Sequence, residues 1–295
     1  MTSDVVCIGS VLWDVIGRSG AAMQHGSDLP GRIARQPGGV ALNIAMTLLR
    51  FGLRPILLSS VGRDPEGEAL LQLCQAHGMD TAHVWRPEDL PTDQYMAIEG
   101  PNGLIAAIAD AHSLERAGGA ILTPLLDGRL GSATAPHAGM IALDGNLTPA
   151  VLSDIARAPQ FAYADLRIAP ASPGKAERLL PFVQTGRGTL YVNLEEAGLL
   201  CATRFGSAPE AAHALLARGA ARVLVTDGAN PAADGHEGDV LTGTPPAVPV
   251  QRVTGAGDTF MAAHIAAERA GHPRHIALAR ALDAAAVHVS AGSAA

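Results

Sequence analysis

The sequence predicts an α/β protein: a mostly parallel sheet covered by helices, with a small β-sheet lid. Three observations predict it. From residue 54 onward, short apolar runs of strand length alternate with stretches of helical apolar spacing, the pattern of a parallel α/β sheet. The alternation is interrupted at residues 92–110, where two strand-like runs flank Gly100-Pro101-Asn102-Gly103, a hairpin signature. Near the end, Thr254-Gly255-Ala256-Gly257-Asp258-Thr259-Phe260 opens a helix of small residues. The chain has 295 residues, 48% of them hydrophobic, and no boundary sharper than the lid excursions. A single domain over 1–295 follows, its lid formed by 11–18, 32–37 and 93–110.

Taken in order, 5–8 reads as a buried strand ending at Gly9-Ser10, and 11–16 continues as extended chain with Asp14 in its middle. A lone acid there either points into water or faces a cleft where it binds a ligand hydroxyl. Pro37-Gly38-Gly39 leads into a helix whose apolar positions Leu42, Ala45, Leu48 and Leu49 share one face, with Gly52 as its stop. Asn43 falls in the first turn. Strands follow at 56–61 and 82–85, with a helix at 65–77 closed by Gly78 between them. After the hairpin come strands at 140–143 and 161–164, helices near 149–158 and 175–183, and a strand at 190–192. Asp144, Asp165 and Asn193 are thereby expected at strand ends, the edge of an open parallel sheet where ligands bind. Asn193 and Glu196 fit a capping box equally well as a pair holding Mg²⁺ waters near phosphates. A strand at 222–226 runs into the small loop Asp227-Gly228-Ala229, a hairpin spans 235–243, 245–249 is extended, and 274–289 is the last helix.

Composition narrows the function. A formal charge of −7 without any Lys/Arg block gives no case for nucleic acid or an anionic membrane as partner. Cys7, Cys74 and Cys201 each sit alone in an apolar run, which suits core packing in a reducing cytoplasm. No apolar run reaches the roughly 18 residues of a membrane span, and the first residues enter a strand without a basic leader region. A cytoplasmic protein is therefore expected. There is no GxxxxGK[ST], no GxGxxG after the first strand, no HExxH, CxxC or GxSxG, which argues against P-loop, dinucleotide, zinc and serine-hydrolase chemistry.

The stretch 254–260 remains. Helix N-terminal N–H groups lack partners and carry partial positive charge, so such an end binds anions. A carboxylate beside an anion site is either a helix cap or a group that does chemistry there.

Gly38-Gly39 with Asn43, Asn193 with Glu196, Gly228-Ala229 and Gly255-Ala256-Gly257-Asp258, in that order, resemble the PfkB-type (ribokinase-like) carbohydrate kinases over the whole length. The resemblance implies a three-layer α/β/α core with a β-lid and transfer of the ATP γ-phosphoryl group, with Mg²⁺, to an alcohol. It implies Asp258 as general base and the N–H groups of Gly255, Ala256 and Gly257 as anion hole. Asp14, Gly39 and Asn43 would bind the acceptor; Asn193, Thr226, Gly228 and Ala229 the nucleotide; Glu196 the Mg²⁺ through water. Within the family, Pro30-Gly31-Arg32-Ile33, Pro37-Gly38-Gly39-Val40 and Asp144-Gly145-Asn146-Leu147 look most like pseudouridine kinases, which implies a nucleoside 5′-hydroxyl as acceptor. Ser10, Thr92, Tyr95 and Asp110 would supply polar groups toward such a substrate. Ribose, ketohexoses and adenosine-like nucleosides are alternatives, and a silent ligand-binding protein on the same fold is a further one. Leu42 stands where the subgroup commonly has Arg, 165–168 depart from its Asp-Pro-Val-Ser, and Pro231 replaces a loop glycine. Arg252 occupies the place of an Asp in K⁺-binding ribokinases, so a K⁺ site there would face like charge. The apolar lid stretch 104–109 is easiest to bury in a homodimer.

Overall fold

The computed structural model describes residues 4–24, 26–101 and 103–291. Twelve strands and nine α-helices lie among them. In the first half these are β1 (Asp4–Ile8), β2 (Leu12–Arg18), β3 (Arg32–Gly38), α1 (Val40–Arg50), β4 (Arg54–Leu58), α2 (Pro65–Ala76), β5 (Gln94–Gly100), β6 (Gly103–Asp110) and α3 (His112–Ala117). The second half contributes β7 (Met140–Asp144), α4 (Pro149–Arg157), β8 (Asp165–Ala169), α5 (Leu180–Thr185), β9 (Thr189–Asn193), α6 (Leu194–Cys201) and α7 (Ala208–Ala217). It ends with β10 (Arg222–Asp227), β11 (Asn230–His236), β12 (Asp239–Gly243), α8 (Ala256–Arg269) and α9 (Arg274–Ser290).

The large sheet runs β12-β11-β10-β9-β8-β7-β1-β4, and the small one β3-β2-β5-β6. From β10 to β4 every neighbouring pair is parallel; β11 and β12 close the far edge antiparallel. Side chains alternate across a strand, and the core divides accordingly. Val6, Ile8, Ile141, Leu143, Leu190 and Val192 face a layer holding α4 to α7, whereas Val5, Cys7, Met140, Ala142 and Tyr191 face α1, α2, α8 and α9. This is the expected three-layer sandwich.

Local chemistry explains the helix ends that matter. Asp64 accepts from the Gly67 N–H at 2.8 Å and Pro65 begins α2, a side-chain cap with a prearranged first turn. At the end of α1, Gly52 turns left-handed (φ 76°), and the N–H groups of Gly52 and Leu53 reach back to Leu49 and Leu48.

Three expectations are corrected. Residues 161–164 are not a strand: a 3₁₀ turn spans Pro159–Phe161 and the strand is Asp165–Ala169, so Asp165 begins a strand instead of ending one. The misleading feature is Arg167, a charge inside a buried strand. Its guanidinium is tied to Asp165, to the Tyr191 hydroxyl and, through the sheet face, to Glu268. Residues 82–85 make only an isolated bridge, Ser60 to Trp85. The helix near 175–183 is a 3₁₀ segment, Pro173–Leu179, followed by the short α5; Pro181 lacks the N–H that would join them. The tip residue Asn102 of the expected hairpin turn lies outside the described residues. Helix α7 and the segment from α3 to residue 125 have no counterpart in the sequence reading.

Helix α8 carries the Gly255 motif, and a buried charge network anchors its other end. Glu268 pairs with Arg167 from β8 and Arg222 from β10, while Arg222 and Arg274 share Asp234. Burial drives the carboxyl of Glu268 upward, but the guanidinium of Arg167 leads a set of positive neighbours that hold it below its ordinary value. His264 lies beside them, fully buried, its pKa pushed down by burial to about 4, so it is neutral and hydrogen-bonded to the Tyr191 hydroxyl at 2.9 Å.

Candidate active site

The ends of β1 and β7, the turn before α1 and the start of α8 meet at the carboxyl edge of the parallel sheet. Asp144, the last residue of β7, is wholly buried and organises one half of this corner. It accepts from the Ser10 N–H and hydroxyl at 2.9 and 3.0 Å, from the Ala41 N–H at 3.0 Å and from the Asn146 N–H at 2.8 Å. Burial pushes its pKa up, and these bonds pull the other way. The Ser10 hydroxyl also accepts from Val40 N and Asn146 Nδ2. Ser10 is therefore saturated by the protein and acts as a strut between three segments.

Glycines make the close approach possible. Gly39 caps α1 with φ 94° and ψ 142°, a region open essentially to glycine, and a Cβ there would overlap the Ser10 carbonyl oxygen. At Gly38 a Cβ would overlap the Asp14 carboxylate, so Asp14 lies directly across this backbone. Gly39→Ala is expected to lose about 1–3 kcal/mol from backbone strain alone, with overlap added. Denaturant unfolding measures this, and an unchanged midpoint would contradict the fit.

Across the corner, Asn43 from the first turn of α1 donates its Nδ2 to Asp258 Oδ2 at 2.9 Å. Asp258 stands in the first turn of α8 after Gly255, which is left-handed at φ 82°. It keeps partial exposure toward the cleft. Burial above all, then the charges of Asp144, Asp14 and Glu196, push its pKa up to about 7, against the lowering bond from Asn43. Asp14 is likewise pushed up by burial, to about 6. The Ala256 N–H closes a turn onto the Val253 carbonyl at 3.1 Å. The N–H groups of Gly257 and Asp258 have no backbone acceptor among the described residues and remain for a ligand.

The other half of the corner begins two strands over, at the end of β9. Asn193 Oδ1 accepts from Glu196 N and Glu196 Oε2 from Asn193 N, both at 2.8 Å, so the capping box is present. Thr226 stands opposite Asn193 in the parallel register, and Gly228 (φ 56°) turns the chain with Ala229 into β11. Glu196 is within electrostatic reach of Asp258. Two predicted residues are held by other partners at the ends of the lid strands. Thr92 gives its N–H and hydroxyl to Asp64 at 2.7 and 2.5 Å, and Asp110, at the end of β6, pairs with His112 Nδ1 at 2.6 Å. Leu42 is wholly buried in the core.

On the lid, Gln36, Asp14 and Tyr95 stand side by side in register on β3, β2 and β5, so their side chains share the face that carries Asp14. Burial first, then the charge of Asp14, raises the Tyr95 phenol. Gln36 and the hub role of Asp144 escape the sequence reading; Gly9 and Gly38, where a Cβ would strike Asp144 and Asp14 respectively, are the signal that marks those crowded positions.

Comparisons with known proteins bear on the family and the fold. The pattern of the pfkB family carbohydrate kinases matches residues 2–295. An uncharacterized sugar kinase of Escherichia coli is 31% identical over 193 residues, 63% of this chain and 50% of that protein. A pseudouridine kinase of the same organism is 35% identical over 107 residues, 36% of this chain and 34% of its own length. The chain thus spans half or less of the curated relatives it matches. The structure of Arabidopsis thaliana ribokinase complexed with ribose and ATP superposes with a TM-score of 0.79 at 20% identity, covering 99% of this chain and 94% of the other.

Proposed function

The chain belongs to the pfkB family of carbohydrate kinases, and from that premise we propose that it is an ATP-dependent kinase of a nucleoside 5′-hydroxyl, with pseudouridine as acceptor. The observation that carries the reading is Asp258: a carboxylate poised near neutral pH at a helix N-terminus, held by Asn43 and flanked by two free N–H groups. Asp14 and Asn43 bind the acceptor over the Gly38-Gly39 backbone. The acceptor oxygen forms a bond to the γ-phosphorus as the bond to the ADP oxygen breaks, and its proton passes to an oxygen of Asp258. A base with pKa near the working pH suits that transfer. The N–H groups of Gly257 and Asp258, with the dipole of α8, face the charge spread over the transferring group.

Asn193, Thr226, Gly228 and Ala229 form the nucleotide edge. Glu196 uses one carboxylate oxygen on Asn193 and keeps the other, and no cluster of three potential metal ligands exists among the described residues. That set fits Mg²⁺ held mainly by phosphate oxygens and water, and such an ion, arriving with ATP, supplies charge neutralisation.

A base-bearing acceptor is favoured over a bare sugar by the lid row of Gln36 and Tyr95 beside Asp14, and by the pseudouridine kinase relative. ADP release across pseudouridine, uridine, adenosine, ribose and fructose tests it. Pseudouridine is expected to give the highest kcat/KM; preference for ribose would replace the acceptor, and no release with any would remove the kinase.

The lid's outer face supports a homodimer. Ile98 stands in register with Ile33 through Gly17, and Met96 with Ile108 in the row two residues along, so the four share one exposed face, Ile33 being 81% exposed, a patch suited to a second copy. Sedimentation equilibrium is expected to give a dimer at micromolar concentration, and Ile108→Lys a monomer. A wild-type monomer would remove the interface. No helix among the described residues is long and apolar enough to cross a membrane.

A further inference from the structure

Against the Gly255 loop, one imidazole touches the motif at several points. His288, in the last turn of α9, sets Nε2 2.8 Å from the Thr254 carbonyl and Nδ1 3.1 Å from the Thr259 hydroxyl. Arg252 closes the arrangement: its Nη2 lies 3.2 Å from the same Nδ1 and its Nε donates to the His288 carbonyl at 3.2 Å. Two backbone bonds, from the N–H groups of Gln251 and Arg252 to the Val289 carbonyl, dock the incoming chain on the same helix end. Gly255 lies flat against the ring, where a Cβ would come 3.2 Å from Cε1 and Nε2.

The partners dictate the ring's state. A carbonyl only accepts, so Nε2 carries the proton; a guanidinium only donates, so Nδ1 is bare and the Thr259 hydroxyl donates to it as well. In this neutral tautomer every ring nitrogen is satisfied. An imidazolium would lose the Nδ1 acceptor and stand against Arg252. Burial first, then the charges of Arg252 and of Arg50 at the end of α1, hold His288 below its ordinary range, the Thr254 bond opposing them.

We propose that neutral His288, with Arg252 behind it, is a positioning residue for phosphoryl transfer, clamping Thr254 and Thr259 on either side of the nest so that the Gly257 and Asp258 N–H groups and the Asp258 carboxylate hold their alignment. Both of its ring nitrogens are engaged by the protein. Its effect belongs in the step that needs alignment, kcat, because displacement of a reacting group by about 1 Å costs on the order of 10²-fold. Binding of the acceptor, which rests on Asp14 and Asn43, is left intact.

The inference rests on the kinase reading, and the test separates the two. His288→Ala is expected to lower kcat about ten- to a hundredfold with acceptor KM within about twofold. His288→Gln, whose amide carries a donor nitrogen and an acceptor oxygen about as far apart as the ring nitrogens, is expected to recover most of the loss, as is imidazole added to His288→Ala. Wild-type kcat in His288→Ala would overturn the proposal, and so would a loss that neither glutamine nor imidazole restores. Nitrogen-15 NMR of the wild-type protein needs no turnover: protonated Nε2 and bare Nδ1 at pH 7 are expected, and the opposite tautomer or an imidazolium would overturn the clamp. If the wild-type protein transfers no phosphate to any acceptor, the kinase reading fails and the NMR result alone decides the clamp.

Discussion

Replacing Asp258 by asparagine is expected to lower kcat by about 10²–10⁴-fold, the range for removal of a positioned general base, while ATP binding is retained. Asparagine keeps the shape and an oxygen for the Asn43 donor, so the loss isolates the proton acceptor. The pH dependence has a definite sign. Asp258 accepts a proton only when ionised, and its pKa of about 7 makes wild-type kcat rise through neutrality and level off above it. The same shift bears on stability: a carboxyl raised above its unfolded value favours the fold at low pH, and that contribution is lost as pH rises through about 7. Asp258→Asn is therefore expected to raise the unfolding midpoint at pH 8 and to change it little at pH 4. A midpoint that falls at pH 8 would mean that the charge stabilises the fold and that the corner is not built as described.

The second large effect belongs to Asp14. Its carboxylate, raised to about 6 by burial and laid across Gly38, is ionised at pH 8 and free to accept from acceptor hydroxyls. Asp14→Ala removes a charged hydrogen-bonding group worth about 1.5–3 kcal/mol, so kcat/KM for the acceptor is expected to fall about 10–10²-fold with KM for ATP unchanged. A loss confined to ATP would move Asp14 out of the acceptor site. The two variants thus divide the corner: Asp258 acts on the rate, Asp14 on acceptor capture.

Much of this corner was legible because its signals are local. Gly39 is forced by its own backbone conformation, Asn43 by its place in the first turn of α1, and Asp258 by the glycines before it. The parallel α/β sheet was legible from strand-length apolar runs alternating with helices, and the three-layer order from the family resemblance. The rest depends on partners far away in sequence. Ser10 lies 134 residues from Asp144 and Ala41 lies 103 residues from it, so Asp144 read as a polar strand end within a family-like stretch and not as a hub. Strand β8 was displaced because an arginine in its middle looks like a loop until Glu268, 101 residues on, neutralises it. His288 was one histidine among small residues until α9 packed against the Gly255 loop. Thr92 shows the reverse: a hydroxyl near a hairpin suggested a ligand, and a side chain from the cap of α2 holds it.

The most direct test of the central claim follows the phosphate itself. Incubation with ATP, Mg²⁺ and pseudouridine, read by ³¹P NMR, is expected to give one 5′-phosphate monoester for each ADP with the wild-type protein and none on the same timescale with Asp258→Asn. A monoester formed equally fast by Asp258→Asn, or no phosphate ester from any nucleoside or sugar with the wild-type protein, would contradict the assignment of this corner to phosphoryl transfer.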